Sequence, residues 1–548
     1  MRRRDAATDA CRRRWPTLAL GALLLVYLGF ALDSLTRVPG AQGDEMWNAA
    51  PAYKLASVGI YGSDAFAGFH RADVRTYQFM PVLQLLEAAV FKIFDVGLLQ
   101  IRLLSVAIGG TVVLSTYLIG RSVGGARVGI LAALLLVSYR LGTGSLETGV
   151  VLVDIVRVTR YHVLVPAFGL AALLAFNRAE GRREPTAYAL AGGLSGLAFL
   201  SHMYGAFWLA ALVATMTVRR GPRALMSREL ALMIAGFGLV CVPWGAYVVR
   251  DLEAYRGQMS MYHDRFDVLN PAFYFDNVRQ EIWRYAGFGV RDLASWRPGA
   301  WVALVAFPAA LVVAGRDALR RREAPLCAVV ISLLVIVGLF ALLLRWKTFT
   351  YLLTPLTLVV VVTAYGAIRL WDSLRAPFVR ILLLALLILT TQEAGAQMVA
   401  RHRRAEAATT YEQIVDRIAS HVPPRATVVA PLRYWLGLRD RTFRGWPLAV
   451  LLADSGSDAP PRTFAEILRE IAPDVIIFDD HEFGRTLANP AHPYHWQYVS
   501  IVSYLEERHA VKRADLSDPT YGSIQIYLLN GARPRPIPVS RRGPARSP

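Results

Sequence analysis

Two adjacent carboxylates, Asp44 and Glu45, lie in the segment GDEMWN (43–48), a few residues after the first long apolar run. A carboxylate within hydrogen-bond reach of a hydroxyl can take its proton as a general base, and a neighbouring acid can assist it or bind a metal ion. Simple solvation at the start of a loop is the alternative. The segments around the pair decide between these interpretations.

The composition is that of an integral membrane protein. Of 548 residues, 55% are hydrophobic and 18% are charged, and the mean hydropathy is +0.37, outside the range of ordinary soluble proteins. About eleven apolar runs are long enough to cross roughly 30 Å of hydrocarbon as helices. The first is expected to be an anchor rather than a cleaved signal peptide. The runs lie near 16–35, 99–120, 126–141, 158–177, 185–201, 203–218, 229–249, 299–315, 325–344, 349–370 and 376–395.

The charge distribution predicts an orientation. Although the net charge is +19, the arginines cluster in the N-terminal tail and in alternate short loops, near 121–127, 178–183, 219–223, 316–322 and 369–380. By the positive-inside rule these segments are cytoplasmic, and eleven spans put all of them on one side. The N-terminus is then inside, and GDEMWN, the loop near 250–298 and the chain after about 396 are outside. This distribution predicts no nucleic-acid partner.

The chain is predicted to have a membrane domain over 1–395 and an extracytoplasmic domain over 396–530. In the second, helix-like runs (407–421, 462–473 and 498–509) are interspersed with strand-like runs at 426–430 and 474–479, and two more strand-like runs follow 509, the last at 523–529. This alternation is typical of a small α/β domain. The Pro- and Arg-rich tail, 531–548, is predicted to be disordered.

The first outer loop, about 37–98, carries the acidic pair and a short apolar segment, MPVLQLLEAAVFKIF (80–94). That segment has the length of a helix lying along the membrane interface, with Glu87 and Lys92 suited to its polar side.

Taken together, the spans, the acidic pair, the interfacial helix and the outer C-terminal domain resemble the GT-C glycosyltransferases. Over roughly 16–395 the chain is most similar to dolichyl-phosphate-mannose protein mannosyltransferase-like and aminoarabinose-transferase-like bacterial membrane proteins. GDEMW resembles the family's loop-one acidic motif, and KTFTYLLTPLTLV (347–359) resembles its basic-aromatic stretch before a late span. One departure is QFMP (78–81), where many relatives have His-Pro-Pro.

The resemblance implies a polyprenyl-phosphate sugar donor and an Asp base, here Asp44, with Glu45 assisting or binding a metal. An acceptor hydroxyl needs such a base to attack. Developing charge on the leaving phosphate calls for cations or oriented donors. No cofactor is required by the pattern, and a divalent ion, Mg²⁺ or Mn²⁺, stays open.

Substrate-binding candidates lie on the outer side: Lys347, Arg345 and Tyr351 after the ninth run, Arg157 and Tyr161 at the end of the fourth, and His70 and Arg75 in loop one. Each has a structural alternative. Lys347 and Arg345 can snorkel at a span end, Arg157 can form an internal ion pair with Asp154, and the loop residues can be solvated. His202, in a tight outer turn, is interpreted as a structural polar residue.

The predicted function is an inverting glycosyltransferase of the cytoplasmic (inner) membrane, acting at its outer face on a glycan, lipid or protein acceptor. Walker A, His-Glu-x-x-His and Cys-x-x-Cys motifs are absent from the sequence, so these common chemistries are not indicated. The alternatives are a transporter or lipid flippase, for which midplane ionisable residues and related halves would be expected, and a silent scaffold that binds cell-wall partners.

Overall fold

The computed structural model describes residues 2–140, 147–260, 262, 268–285, 302–321, 323–344, 349–373, 377–453, 462–480 and 487–529. These residues form two compact units. The first contains the described residues up to Ser63 and from His70 to Ala408, and the second contains Asp64–Phe69 and the described chain from Thr409.

The first unit is helical. Its α-helices are α1 (Arg2–Leu32), α2 (Gly43–Val58), α3 (Val82–Phe94), α4 (Leu98–Gly124), α5 (Ala126–Ser138), α6 (Val151–Val156), α7 (Leu164–Arg182), α8 (Pro185–Ser201), α9 (Ala206–Arg220), α10 (Arg228–Val249), α11 (Leu252–Met259), α12 (Pro271–Tyr285), α13 (Phe307–Arg321), α14 (Ala324–Leu343), α15 (Leu353–Ser373) and α16 (Pro377–Glu406). Short 3₁₀ turns cover Tyr161–Val163, Met203–Gly205, Pro222–Met226 and Phe349–Leu352, and a π turn covers Val302–Ala306.

Seven helices among the described residues are long and apolar enough to cross a membrane: α1, α4, α7, α10, α14, α15 and α16. The fold class predicted from the sequence, a polytopic helical membrane protein with a small C-terminal α/β domain, is confirmed. The count of eleven spans is not. The other four predicted runs coincide with α5, α8, α9 and α13, which have only 13 to 17 residues, whereas a straight span needs about 20.

Glycines allow α8 and α10 to pack at backbone distance. A Cβ on Gly192 would lie 1.8 Å from the Met233 carbonyl oxygen, and one on Gly236 would lie 2.0 Å from that of Ala189. Only residues without a side chain permit such an approach. Gly192 and Gly236 are therefore positions of close helix packing.

The first loop begins with a capped helix. Helix α2 ends at Val58 and is capped by Gly59, whose φ of 75° suits a left-handed cap and whose N–H donates to the Leu55 carbonyl at 3.1 Å. Helix α3 follows over the segment predicted to be interfacial, and it exposes Leu85, Ile93 and Phe94. The start of α2 and the connection before α3 both contribute residues to the site described below.

The second unit is a five-stranded mixed sheet with helices. Its strands are β1 (Thr427–Ala430), β2 (Thr442–Gly445), β3 (Val475–Asp479), β4 (Val511–Asp518) and β5 (Gly522–Leu528), in the order β2-β1-β3-β5-β4. β1 pairs in parallel with β2 and β3, while β5 pairs antiparallel with β3 and β4. The helices are α17 (Tyr411–Ala419), α18 (Trp446–Ala453), α19 (Phe464–Ile471) and α20 (His495–Glu507), with a 3₁₀ turn at Leu432–Gly437.

The contact between α8 and α10 gives a matched pair of variants. Gly192→Ala should lower the unfolding free energy in detergent by about 1–3 kcal/mol, because the new methyl overlaps the Met233 carbonyl. Gly193→Ala should be neutral or stabilising, because its nearest contact would be an ordinary 3.6 Å. Equal thermal stability of the two variants would contradict the close packing.

Candidate active site

Asp44 and Glu45 occupy the first turn of α2, where the helix dipole favours carboxylates. The main-chain N–H of Gln42 donates to Glu45 Oε2 at 2.9 Å, which caps the helix. Successive residues of an α-helix are about 100° apart around its axis. The two acids therefore leave the helix in different directions and meet different surroundings.

Glu45 is fully buried and paired with Arg102 of α4, which is also fully buried. Arg102 Nε and Nη2 donate to the two carboxylate oxygens at 2.8 and 2.7 Å. Glu45 Oε1 also accepts from the Thr159 main-chain N–H at 3.1 Å. With the Gln42 bond, Glu45 accepts four hydrogen bonds, so its desolvated charge is compensated.

The same arginine holds the chain that leads into α2. Arg102 Nη1 donates to the carbonyls of Leu35 and Pro39 at 2.6 and 2.8 Å, and Nη2 donates to Gly40 at 3.2 Å. Its five donated hydrogen bonds match the five N–H groups of a guanidinium. Arg102 thus fixes both Glu45 and the backbone that precedes it.

Arg157, predicted to bind substrate, is fully buried against the end of α1. Its Nη1 donates to the carbonyls of Phe30 and Ala31, at 3.2 and 2.8 Å, and its Nη2 donates to those of Ser34 and Val38. These contacts favour a structural role for Arg157, in which it holds the backbone at the end of α1. The ion pair with Asp154, which was the structural alternative, is not formed: Asp154 instead accepts from Thr148 and Gly149.

Asp44 is the accessible member of the pair, with 53% of its side chain exposed. Its Oδ2 lies 3.1 Å from Arg160 Nη2. Arg160 Nη2 also donates to Gln42 Oε1 at 2.6 Å. The ion pair orients the carboxylate and leaves it open to an approaching molecule, as a general base requires.

A cavity of about 100 Å³ lies in the first unit, bounded by loop one, the turn before α9 and the segment after α10. Trp47, one turn after Asp44 in α2, donates from Nε1 to Gln78 Oε1 in the cavity wall at 2.7 Å. Its ring meets that of Phe79 edge-on at 5.5 Å. Polar groups come from Gln78, Ser201 and His202, and aromatic walls come from Tyr77, Phe79, Tyr161, Trp244, Tyr255 and Tyr262.

Of the predicted substrate-binding residues, Tyr161 lines this cavity and Tyr351 packs near the lining residue His202. Tyr161 stacks on His202 with ring centroids 4.7 Å apart. Tyr351 is buried, and its ring lies 5.5 Å from that of His202. His202 Nδ1 accepts from the Tyr204 main-chain N–H at 3.3 Å. The cavity lining therefore joins loop one, Tyr161, the turn before α9, α10 with the segment after it, and Leu344.

A docked segment after α10 holds the other side of loop one. Gln258, fully buried in α11, accepts from the Tyr77 N–H at 2.8 Å and donates to the carbonyls of His70 and Arg75 at 2.9 and 2.8 Å. Tyr262 OH donates to the Gln78 carbonyl at 2.6 Å. Through these bonds residues 181 to 188 positions apart in sequence fix the backbone of the cavity wall.

The remaining predicted substrate residues are placed as follows. His70 has a positive φ of 41° and packs its ring over Gly257, and Arg75 lies further along the same loop. Neither is among the residues that line the cavity. Lys347 and Arg345 lie outside the described residues, so their predicted contacts with the leaving phosphate stay predictions.

The expectation for Glu87 is wrong. It was assigned to the polar side of the interfacial helix, yet in α3 it is fully buried, whereas Lys92 is exposed. Burial, with the nearby Glu45 carboxylate, raises the pKa of Glu87 well above its ordinary value. A neutral carboxylic acid is less costly to bury than a charge, which explains how α3 tolerates it.

Sequence reasoning missed Arg102, Arg160 and Gln78. Arg102 carried a signal, because a charged residue inside an otherwise apolar span is a functional candidate by default. Arg160 stands next to Tyr161, which was selected, and Gln78 was noted only as a departure from the family pattern. Their partners are set by tertiary packing, which no spacing in the sequence reveals.

Within the described ranges, no group of three or more His, Cys, Asp or Glu side chains is arranged to hold a metal ion. At the acidic pair the Glu45 oxygens are occupied by nitrogen donors. Asp44 is paired with Arg160.

The Glu45–Arg102 pair predicts a strong energetic coupling. Glu45→Gln leaves the Arg102 charge buried without its partner and should cost about 3–5 kcal/mol of unfolding free energy. Adding Arg102→Met should recover part of that loss, giving a non-zero coupling in a double-mutant cycle measured by thermal unfolding in detergent.

The exposed pair Arg127–Asp372, at 2.6 Å, is the matched control. Asp372→Asn should change stability by less than about 1 kcal/mol, because solvent screens this pair. If Glu45→Gln were as mild as Asp372→Asn, the buried pair would not organise the site.

Comparison with known proteins supports the resemblance drawn from the sequence. Residues 79–247 match the family described as dolichyl-phosphate-mannose-protein mannosyltransferase. This region extends from the cavity wall at Phe79 through most of α10. No curated protein matches the sequence significantly.

Solved structures match nearly the whole chain. ArnT from Cupriavidus metallidurans in the apo state has a TM-score of 0.61 at 14% identity, covering 95% of this chain and 98% of that one. The same protein bound to undecaprenyl phosphate has a TM-score of 0.59 at 15% identity, with coverages of 93% and 98%.

The oligosaccharyltransferase AglB from Archaeoglobus fulgidus, in complex with an inhibitory peptide and a dolichol-phosphate, has a TM-score of 0.54 at 12% identity. The match covers 86% of this chain and 70% of that one. A complex of the Archaeoglobus enzyme with Zn and sulfate has a TM-score of 0.57 at 14% identity, with coverages of 92% and 72%. The chain therefore has the fold of the GT-C membrane glycosyltransferases, and within that fold residues 79–247 carry the mannosyltransferase family match.

Proposed function

We propose that this protein transfers a sugar from a polyprenyl-phosphate donor to an acceptor at the outer face of the cytoplasmic membrane, with inversion at the anomeric carbon. The observation that carries the proposal is the contrast within the acidic pair: Glu45 is buried and saturated with hydrogen bonds, while Asp44 is half exposed. The fold supports it, because solved structures of proteins with the same fold contain undecaprenyl phosphate and a dolichol-phosphate.

In the proposed reaction Asp44 is the general base. Its carboxylate takes the proton of the acceptor hydroxyl as the acceptor oxygen forms a bond to the anomeric carbon. The bond from that carbon to the phosphate oxygen breaks, and the phosphate leaves with the electron pair. One displacement of this kind inverts the anomeric configuration.

Arg160 and Glu45 act as positioning residues in this proposal. Arg160, 3.1 Å from Asp44, orients the carboxylate. Glu45 holds the first turn of α2 through Arg102, and we infer this role rather than metal ligation because four nitrogen donors already occupy its oxygens. The charge on the leaving phosphate requires cations, for which Lys347 and Arg345 remain the candidates.

Asp44→Asn tests the base directly. The amide keeps the shape but cannot take a proton at neutral pH, so turnover should fall by at least roughly 10²–10⁴-fold, the usual contribution of general base catalysis. Membrane insertion and donor binding should be retained. Transfer from a radiolabelled polyprenyl-phosphate sugar by purified enzyme is the measurement.

Asp95→Asn, an exposed acid of the same loop, is the control and should leave turnover unchanged. Near wild-type transfer by Asp44→Asn would remove Asp44 from the mechanism. The proposed function would then stand with a different base, whereas absence of transfer by the wild-type protein from every polyprenyl-phosphate donor would favour a transporter or flippase.

The proposed face can be tested by cysteine labelling in intact spheroplasts. After Cys11, Cys241 and Cys327 are replaced by Ser, a Glu412→Cys variant should react with a membrane-impermeant maleimide, because the C-terminal unit is proposed to be outside. An Arg182→Cys variant should react only after the membrane is permeabilised. Both positions are exposed in the fold, and the reverse labelling pattern would contradict the orientation.

A further inference from the structure

Gln78 carries a buried hydrogen-bond donor, its side-chain NH₂ group, that could bind a ligand. Only 2% of the residue is exposed, and it lines the aromatic cavity. Its Oε1 accepts from Trp47 Nε1 at 2.7 Å. Its Nε2 has no hydrogen-bond partner among the residues that the structure describes.

The orientation of this amide is fixed. The indole N–H of Trp47 is only a donor, so the amide group facing it must be the carbonyl oxygen. The NH₂ group therefore points away from Trp47. The backbone of Gln78 is held as well, because its carbonyl accepts from Tyr262 OH at 2.6 Å.

An unsatisfied buried donor is costly, and proteins rarely keep one without a use. Here a ligand in the cavity can supply the acceptor that the Gln78 NH₂ group lacks. Its volume of about 100 Å³ is below the roughly 300–1,000 Å³ of pockets for drug-sized ligands. A single small ring, packed against aromatic faces such as those of Phe79 and Tyr161, suits that space.

The chemistry of the donor selects the ligand. An amide NH₂ requires a lone pair, which a hydroxyl oxygen or ring oxygen supplies. A protonated amine presents only N–H donors and has no lone pair. If an ammonium group faced the Gln78 NH₂ group, N–H donors would point at each other and neither group would have an acceptor.

We propose that Gln78 is a specificity-determining residue for the donor sugar: its NH₂ group donates to a hydroxyl oxygen of a sugar ring that is uncharged at the contacted position. This inference rests on the proposed function. It assigns the aromatic cavity to the transferred ring and makes Trp47 the positioning residue that aims the amide.

Gln78→Glu isolates the proposed contact. The new side chain has the same shape and keeps an oxygen for Trp47, but it replaces the donor with a carboxylate oxygen. The substrates are the polyprenyl-phosphate hexose that supports the highest turnover, its monodeoxy analogues, and analogues in which one hydroxyl at a time is replaced by an amine.

Wild-type enzyme should lose at least about tenfold in kcat/KM with one monodeoxy analogue, because the Gln78 amide then has no partner. Gln78→Met, which has no N–H to donate, should lose a similar factor with the parent donor and no longer discriminate against that analogue. Gln78→Glu can still accept from the sugar hydroxyl, so its effect with the parent donor should be smaller. It should also gain relative activity with the amine at the same position, because a carboxylate pairs with an ammonium. A role limited to folding would not reverse the order of two substrates.

Gln497→Glu is the matched control in the second unit. Gln497 is equally buried, but it accepts from the Phe464 N–H at 2.7 Å and donates to the Arg462 carbonyl at 3.3 Å. This change should lower thermal stability and leave the donor preference unchanged. If Gln78→Glu does not fold, Gln78→Met, which lacks both donor and charge, still tests the loss of discrimination.

The outcomes separate the two proposals. Equal kcat/KM of wild-type enzyme with the parent donor and every monodeoxy analogue overturns the role of Gln78. So does an unchanged substrate order in the folded Gln78 variants. In both cases sugar transfer by the wild type upholds the proposed function. Absence of transfer from every polyprenyl-phosphate donor overturns both.

Discussion

The candidate site depends on a charge pair buried in an apolar helical bundle. Removing Glu45 and Arg102 from water is expensive, and only close pairing with fully satisfied hydrogen bonds compensates for it. Each of the two side chains therefore has one favourable arrangement. Arg102 also donates to backbone carbonyls between Leu35 and Gly40, so this backbone segment is fixed with the pair. Because adjacent helix positions point in different directions, fixing Glu45 inward leaves Asp44 outward. The exposure of the proposed base follows from the burial of its neighbour.

In the rest of the site, buried side chains likewise form hydrogen bonds that hold the backbone and side chains around the proposed reacting groups. Arg157 holds the end of α1, and Gln258 holds the backbone before Gln78 from the opposite side. Trp47 links α2 to the cavity wall. Elements far apart in sequence thus support the Asp44 carboxylate and the cavity. Both are therefore held in position before a substrate binds.

Some of this could be predicted from the sequence. Hydropathy identified the membrane class, and helix and strand periodicity identified the α/β nature of the C-terminal unit. The motif around Asp44 selected the acidic pair, although it was expected at the start of a loop and lies in the first turn of a helix. These are local properties of the chain. The GT-C resemblance combined them into a fold that the comparisons support.

Other features depend on packing and could not be predicted. Nothing in GDEMWN tells which acid is buried, because the partner, Arg102, lies 57 residues away. Glu87 was placed on the wrong side of α3 because charge normally predicts exposure. The count of eleven spans stays unconfirmed, because an apolar run reveals composition and not the length of the helix that forms. Strand β2 was missed because TFRG is four residues long and carries an arginine.

The central claim is that Asp44 acts while Glu45 stays bound to Arg102. A structure of the protein with a non-transferable polyprenyl-phosphate sugar analogue and an acceptor hydroxyl would test this most directly. We predict that the Asp44 carboxylate lies within hydrogen-bond distance, about 2.6–3.2 Å, of the acceptor hydroxyl, with both Glu45 oxygens still on Arg102. A complex in which Glu45 leaves Arg102 to meet the acceptor or a metal ion, or in which Asp44 points away from the sugar, would contradict it.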